Sequence, residues 1–310
     1  MDALPHPPLA CEIAPDRIAA VRWTHGGKLD EFAIEPIPAD ALVPSAVETN
    51  ILNPEALRDA VSAVFQQLRA HHQDVALLLP DPVIRVFVQH FDEFPRSSQE
   101  AAPMLRWKLK KSVPFETEET LVSYMRQEPR GQGVDVVVGL ARSPVVREYE
   151  ALMEAAGLRP GVVLTSALAA VALLEDPRTT LLARVCGSWL TTAIVRAGVL
   201  CGYRCTDLPA PVFALTPQML LEEVYPLTAY YQDYWQEGIG AVRLGGLGPR
   251  VSEFAQPLLQ ELGCSVSSLV GPLDREGRLR ADAQPLAEHE LEGLLGWMQY
   301  RAIGNEQEAA

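Results

Sequence analysis

Lysine is nearly absent from this chain: four residues of the 26 basic ones, set against 40 acidic residues among 310, for a net charge of −14. A surface so negative argues against a nucleic-acid backbone as partner. No apolar run approaches the roughly 18 residues a bilayer span requires. Met1-Asp2-Ala3-Leu4-Pro5 lacks the basic and apolar regions of a secretory signal, so a cytoplasmic location is expected. The five cysteines (Cys11, Cys186, Cys201, Cys205, Cys264) are odd in number and lie mostly in strand-like contexts. Cys201-x-x-x-Cys205 has no second ligand pair nearby, so buried thiols are the better reading and no metal site is expected. The histidines show no metal spacing, and no Ser/His/Asp or Cys/His constellation emerges. No Asp or Glu occurs between Asp176 and Asp207.

What is present is an internal duplication. Cys11-Glu12-Ile13 leads through Ala14-Pro15-Asp16 into Ile18 to Trp23, and Gly26-Gly27 turns the chain back toward Phe32 and Ile34. Leu181 to Val185 leads through Cys186-Gly187-Ser188 into Thr191 to Val195, and Gly198 turns it back through Leu200 to Tyr203. Two such meanders, each followed by helical sequence, predict two related α/β halves facing each other across a cleft.

Ala10-Cys11-Glu12-Ile13-Ala14 resembles, without a gap, the Gly-x-Asp-x-Gly first phosphate loop of the actin, Hsp70 and sugar-kinase superfamily. In that superfamily the nucleotide phosphates lie between the two first turns. Here alanines replace both glycines, Glu12 replaces the aspartate, and Pro15 removes an amide donor. The second turn has no carboxylate to anchor a metal. The groups left to it are Gly187, Thr191 and Thr192, which are equally ordinary in any β-meander. Glu12 is either a residual magnesium anchor acting through water or a solvated turn residue. Gly245-Gly246, preceding a helix, is the best surviving nucleotide feature.

Between the meanders, Asn53-Pro54 opens a helix carrying Leu57, Val61, Val64, Phe65 and Leu68, and Val75 to Leu79 reads as a buried strand ended by Pro80. A strand at Val83 to Phe91, a helix at Ser97 to Lys111, strands at Leu121 to Arg126 and Val134 to Ala141, and a helix at Pro144 to Ala156 form a β-α-β-β-α block stopped by Gly157. A short helix follows at Ser166 to Leu174. Thr216-Pro217 opens a long helix with a bend expected at Pro226. A strand at Ala241 to Leu244, a helix through Phe254 and Leu258, a strand at Ser265 to Leu269 and an amphipathic helix with Leu291, Leu294, Leu295 and Met298 complete the pattern, with Asn305 to Ala310 expected to fray. Tyr225, Tyr230, Tyr231, Tyr234 and Trp235 are read as core and subunit contact. The cluster Arg106, Lys108, Lys110 and Lys111 reads as a solvated helix face or a favourable helix C-terminus ahead of a docking patch.

Leu77 to Arg85, Phe94-Pro95, Lys110-Lys111-Ser112-Val113-Pro114-Phe115 with the acidic Glu116 to Glu119, Ala155 to Pro160, Tyr230-Tyr231 and Arg243 to Gly246 occur in the order and spacing of the PilM-like proteins of type IV pilus assembly, relatives of FtsA and of the type II secretion L component. The resemblance implies an actin-like (ribonuclease H-like) duplicated α/β fold with an inserted SHS2-type subdomain. Its expected parts are a first unit over residues 1–82, completed by 160–178 and a C-terminal helix at 285–303, the insert over 83–159, and a second unit over 179–284. It implies a scaffold that captures the cytoplasmic N-terminal tail of a PilN-like membrane protein and meets other pilus machine components, held at the inner membrane only through a partner. Arg85, Trp107, Val113 and Phe115 are assigned to the insert that walls the partner groove. No enzyme activity and no required cofactor are expected, ATP with magnesium being the ligand a working site would take. Homo-oligomerisation stays open, as do two alternatives: an active ATPase or kinase of the superfamily, and a type II secretion L-like component.

Overall fold

A computed structural model describes residues 7–24, 28–70, 73–127, 132–277 and 279–299. The Gly26-Gly27 turn and the tail at 305–310 lie outside them. Strands β1 (Leu9–Ile13), β2 (Arg17–Trp23) and β3 (Leu29–Pro36) form the first meander. Helix α1 (Pro54–Gln67) follows, its first turn capped by Asn53, whose side chain accepts the Ala56 N–H at 3.1 Å. The chain then returns as β4 (Asp74–Leu79), parallel to β1.

Pro80-Asp81-Pro82-Val83 coils into a short 3-10 turn, so the next strand, β5 (Arg85–Phe91), starts two residues later than the apolar pattern predicts. Helix α2 (Ser98–Leu109), β6 (Thr120–Arg126), β7 (Val134–Arg142) and α3 (Ser143–Ala155) complete the expected block. The three strands form a small sheet in the order β5-β7-β6 with its own core of Phe91, Leu105, Leu109, Val136, Val138 and Leu140. By packing, α3 sits elsewhere: Val145, Tyr149, Leu152 and Met153 join the core beneath α1.

Gly157, at φ +78°, ends α3 and leads into a strand absent from the sequence reading, β8 (Arg159–Thr165). Its Pro160-Gly161 masks the strand pattern. Proline is tolerated because β8 is an edge strand, and the register with β4 skips Gly161 between the Val75 and Ala76 pairs. Helix α4 (Ser166–Ala170) then leads to the second meander, β9 (Thr180–Cys186), β10 (Trp189–Arg196) and β11 (Val199–Asp207). Helix α5 (Pro217–Trp235), running through Pro226, β12 (Ala241–Gly245), α6 (Val251–Leu262) and β13 (Ser265–Ser268) follow. The short helices α7 (Gly271–Arg275) and α8 (Gln284–Glu288) precede α9, residues 292–299.

The two large sheets have the same plan, β3-β2-β1-β4-β8 and β11-β10-β9-β12-β13, each an antiparallel meander extended by two parallel strands. This is the duplication the two meanders predict. Alternation along the central strands decides what lies between the sheets. Leu9, Cys11 and Ile13 of β1 point into the core under α1, and Leu181, Ala183 and Val185 of β9 into the core under α5. Ala10 and Leu182 share the central core with Leu294, Leu295, Trp297 and Met298 of α9. That helix seats closely on α4, where a Cβ on Gly296 would lie 2.2 Å from the Ala169 carbonyl oxygen.

Candidate functional site

The residues of β1 and β9 that alternate onto the central face include one carboxylate and one guanidinium, Glu12 and Arg184. Both are 2% exposed. Arg184 Nη2 reaches Glu12 Oε1 at 3.1 Å, and its Nε reaches Glu292 Oε2 of α9 at 3.2 Å. Its Nη1 lies 3.8 Å from Asp81 Oδ2, beyond hydrogen-bond range. Ser166 Oγ donates to Glu12 Oε1 at 2.5 Å. Asp81 accepts the Ala167 N–H at 2.8 Å and the Thr191 hydroxyl at 2.9 Å. The other Glu292 oxygen accepts the Gly246 N–H at 2.9 Å. One cation therefore serves three buried carboxylates drawn from β1, the end of β4 and α9.

The charges respond to that imbalance. Burial pushes the Asp81 carboxyl above the usual carboxylate range, and the distant, shared Arg184 does not bring it back. Arg184 is held well above its ordinary value by Glu292 and Glu12 against the cost of burial. Glu12 Oε2 has no hydrogen-bond partner among the described residues. Glu12 is thus a buried residue and not a solvated turn residue, its neighbours being Arg184, Ser166 and the backbone of Gly293. No group of residues suited to hold a metal occurs among the described residues.

The two turns meet. Gly187, at φ +58°, lies so near the first turn that a Cβ on it would stand 3.0 Å from Pro15 Cγ. In the first turn Ala14 and Arg17 exchange N–H to carbonyl bonds at 2.9 and 3.4 Å. Thr191 faces the cluster, while Thr192 points the other way and donates to the Arg204 carbonyl at 3.4 Å. Gly245 and Gly246 are glycines for packing reasons. A Cβ on Gly245 would press on Arg184 Cγ at 3.1 Å, and one on Gly246, at φ +67°, would stand 1.8 Å from the Val185 carbonyl oxygen. The cavity of about 290 Å³ beside Gly246 and Gly248 is lined on one side by Glu288, Glu290 and Glu292. Burial and Glu292 push the Glu290 carboxyl up.

The insert meets both lobes. Gln127, just past β6, stands in for a strand partner: its amide donates to the Leu200 carbonyl and its carbonyl accepts the Leu200 N–H, both at 2.8 Å. Toward the first lobe, Arg142 at the end of β7 donates to the Val47 carbonyl, and Glu148 of α3 accepts the N–H groups of Asn50 and Ile51 at 2.9 and 3.1 Å. Exposed apolar side chains lie on this side, Val43 and Leu52 on the loop and Leu121 on β6, an edge strand of the small sheet, one residue beyond the partner of Arg142 in register.

Of the residues assigned to that wall, Val113 and Phe115 pack half-buried against the insert core. Trp107 does not: it is 81% exposed and shapes no core. Arg85 opens β5 close to Cys205 of β11, on the side of the second lobe. The basic cluster is largely engaged, Lys110 with Glu116 and Glu118 at 3.4 and 3.3 Å, Arg106 with the Thr120 carbonyl at 3.0 Å, and Lys108 with the His90 carbonyl and over the Phe91 ring. The expected aromatic core on α5 reduces to Tyr231 and, in part, Trp235, since Tyr225, Tyr230 and Tyr234 are more than half exposed. Sequence reasoning missed Arg184, Asp81, Ser166 and Glu292. The available signal was a charge set inside an apolar strand or helix face, as in Leu182-Ala183-Arg184-Val185 and Leu291-Glu292.

A family model described as type IV pilus assembly protein PilM matches residues 16–190, more than half of the chain. No curated protein sequence matches. Among solved structures, the PilM-PilN type IV pilus biogenesis complex superposes with a TM-score of 0.71 at 19% identity, covering 95% of this chain and 98% of that one. The cytoplasmic domain of EpsL, an inner membrane component of the type II secretion system of Vibrio cholerae, gives 0.47 at 14% identity over 76% of this chain and 80% of its own. A Bacteroides thetaiotaomicron protein with an actin-like ATPase fold gives 0.48 at 12% identity over 86% and 93%. The architecture is the actin-like one expected, two related lobes with a small inserted sheet. Among the described residues no helix is long and apolar enough to cross a membrane.

Proposed function

The chain belongs to the type IV pilus assembly protein PilM family, and from that premise we propose that it is a non-enzymatic scaffold that binds the cytoplasmic tail of a PilN-like membrane protein. The observation that carries the non-enzymatic half is Arg184. A guanidinium already paired to Glu12 and Glu292 occupies the space between the lobes where superfamily enzymes hold phosphate and metal. Displacing it would leave three buried carboxylates facing an incoming polyanion. Pro15 against Gly187 and the carboxylate rim at the remaining cavity support a reading without phosphoryl transfer or a required nucleotide.

The partner half is supported by the solved PilM-PilN complex and by the exposed Val43, Leu52 and Leu121 near the bonded pair Arg142 and Val47. An apolar, short tail adding to a preformed edge is peptide recognition without catalysis. Such a protein is peripheral at the inner membrane through its partner. Two measurements test the reading. Calorimetry with ATP and magnesium is expected to show no micromolar binding and no phosphate release, and a tail peptide of the PilN-like protein is expected to bind and to lose affinity in Leu121→Asp. Micromolar ATP binding with turnover overturns the first half, and unchanged peptide binding by Leu121→Asp overturns the assigned surface.

A further inference from the structure

Helix α5 covers the second lobe with one face, from which Leu220, Val224, Leu227 and Tyr231 enter the core beneath it. Its other face is aromatic and bare. Tyr225, Tyr230 and Tyr234 are 64%, 58% and 56% exposed. Pro226, Tyr230 and Tyr234 follow one another four residues apart and so form one stripe, in which the two tyrosine rings lie stacked at 6.1 Å with 15° between their planes. Tyr234 also meets Trp235 edge-on at 5.4 Å.

The unpaired charge on this helix has one sign. Residues 205–242 include no Lys, Arg or His, against Asp207, Glu222, Glu223, Asp233 and Glu237. The arginines that reach the helix from neighbouring strands are spent, Arg204 on Glu223 at 3.6 Å and Arg196 on Glu237 at 2.8 Å, the latter guanidinium also lying over the Trp235 ring. Glu222 and Asp233 are exposed and pair with no cation among the described residues, Glu222 accepting only the Gln218 amide at 2.9 Å. Each lies three residues from an exposed ring, Glu222 from Tyr225 and Asp233 from Tyr230, so every free carboxylate borders an aromatic face.

We propose that this face of α5 docks an arginine-bearing segment of another protein, its guanidiniums stacked on Tyr225, Tyr230 and Tyr234 and bonded to Glu222 and Asp233. Arginine suits a ring bordered by a carboxylate better than lysine does, because its planar fork stacks and hydrogen-bonds at once. A second copy of this chain is the poorer fit. Set face to face, it would bring Glu222 and Asp233 against like charges on a molecule of net charge −14, and Lys108 and Lys110 are already engaged within the insert. The surface belongs to the second lobe and is independent of the tail site assigned to Leu121 of the insert.

The probe is a blocked synthetic peptide of alanine, leucine and arginine, compared by calorimetry on the full chain with versions carrying lysine or glutamine in place of arginine. Wild type is expected to bind the arginine peptide, the lysine peptide about tenfold more weakly, and the glutamine peptide not at all. Two double variants, Tyr230→Ala with Tyr234→Ala and Glu222→Gln with Asp233→Asn, alter exposed side chains only. Both should melt as wild type does and bind the arginine peptide about tenfold more weakly. Leu121→Asp should bind it unchanged. No binding by wild type at about 1 mM peptide, equal affinity for the lysine peptide, undiminished binding by either double variant, or a loss caused by Leu121→Asp overturns the proposal. So does self-association of wild type in sedimentation that the tyrosine pair abolishes, since a second copy then occupies the face.

Discussion

Arg184→Met removes the only cation from a cluster that keeps Glu12, Asp81 and Glu292 out of water. The methionine fills most of the space of the arginine stem, so the lost energy is electrostatic rather than a cavity. Removing one partner of a buried ion pair costs about 3–5 kcal/mol. Two carboxylates lie within 3.2 Å of the guanidinium and a third at 3.8 Å, so the upper end of that range is expected at neutral pH. The orphaned carboxylates can take up protons, so the deficit shrinks as pH falls toward 5. Urea unfolding at pH 7 and pH 5 measures both values. A cycle with Glu12→Gln isolates one pair: the double variant should recover about 2–3 kcal/mol of the loss. Arg184→Lys should rescue only in part, because a compact ammonium cannot fork between Glu12 and Glu292. A deficit below about 1 kcal/mol, typical of a solvated surface pair, or zero coupling to Glu12, would refute the reading of Arg184 as the internal counter-ion of the cleft.

Asp81, raised by burial, binds its proton more tightly in the folded chain than in the unfolded one. Its contribution to stability is complete below the ordinary carboxylate range and lost as pH rises through the raised value. Wild type should therefore lose ground to Asp81→Asn as pH rises from about 4 in urea titrations, and a constant gap contradicts this. Gly246→Ala should cost at least about 3 kcal/mol from the clash with the Val185 carbonyl, against about 1 kcal/mol for Gly263→Ala, which has a similar φ of +66° and no atom within 4 Å of the new methyl. Equal melts by circular dichroism would show the Gly246 contact to be slack. Phe115→Ala, at the rim of the insert core, should cost about 1–2 kcal/mol rather than the ~3–5 of a fully buried phenylalanine, and Trp107→Ala about 0.5 or less. A Trp107→Ala melt many degrees below wild type is the contrary result.

The duplicated meander was legible because strand alternation and turn residues are local signals. Asn53-Pro54 and Thr216-Pro217 also opened helices as read, since a cap acts within three residues. β8 was hidden by Pro160-Gly161, whose cost is met by an edge position that only the sheet reveals. The departures of Ala10, Ala14 and Pro15 from the phosphate-loop pattern were visible in the sequence. What fills the cleft was not. Glu12, Asp81, Ser166, Arg184 and Glu292 come from five elements, and their meeting depends on the facing of two sheets rather than on any spacing along the chain. Exposure misled in the same way. Trp107 and the α5 tyrosines sit in apolar-looking patterns, yet tertiary packing leaves them at the surface.

The cluster around Arg184 also sets an order of events during synthesis. Glu12 is made before Arg184, and Arg184 before Glu292. At about 5–20 residues per second, roughly 15–55 s separate the first carboxylate from the last. Throughout that interval β1 carries a charge whose final surroundings do not yet exist, and α4 lacks the helix that closes over it. The nascent first lobe can pair its strands, but its inner face must stay hydrated until α9 arrives. Closure of the cleft is thus tied to emergence of residue 292 from the ribosome, and a chain cut short before it keeps an open, acid-lined seam that quality-control proteases can recognise.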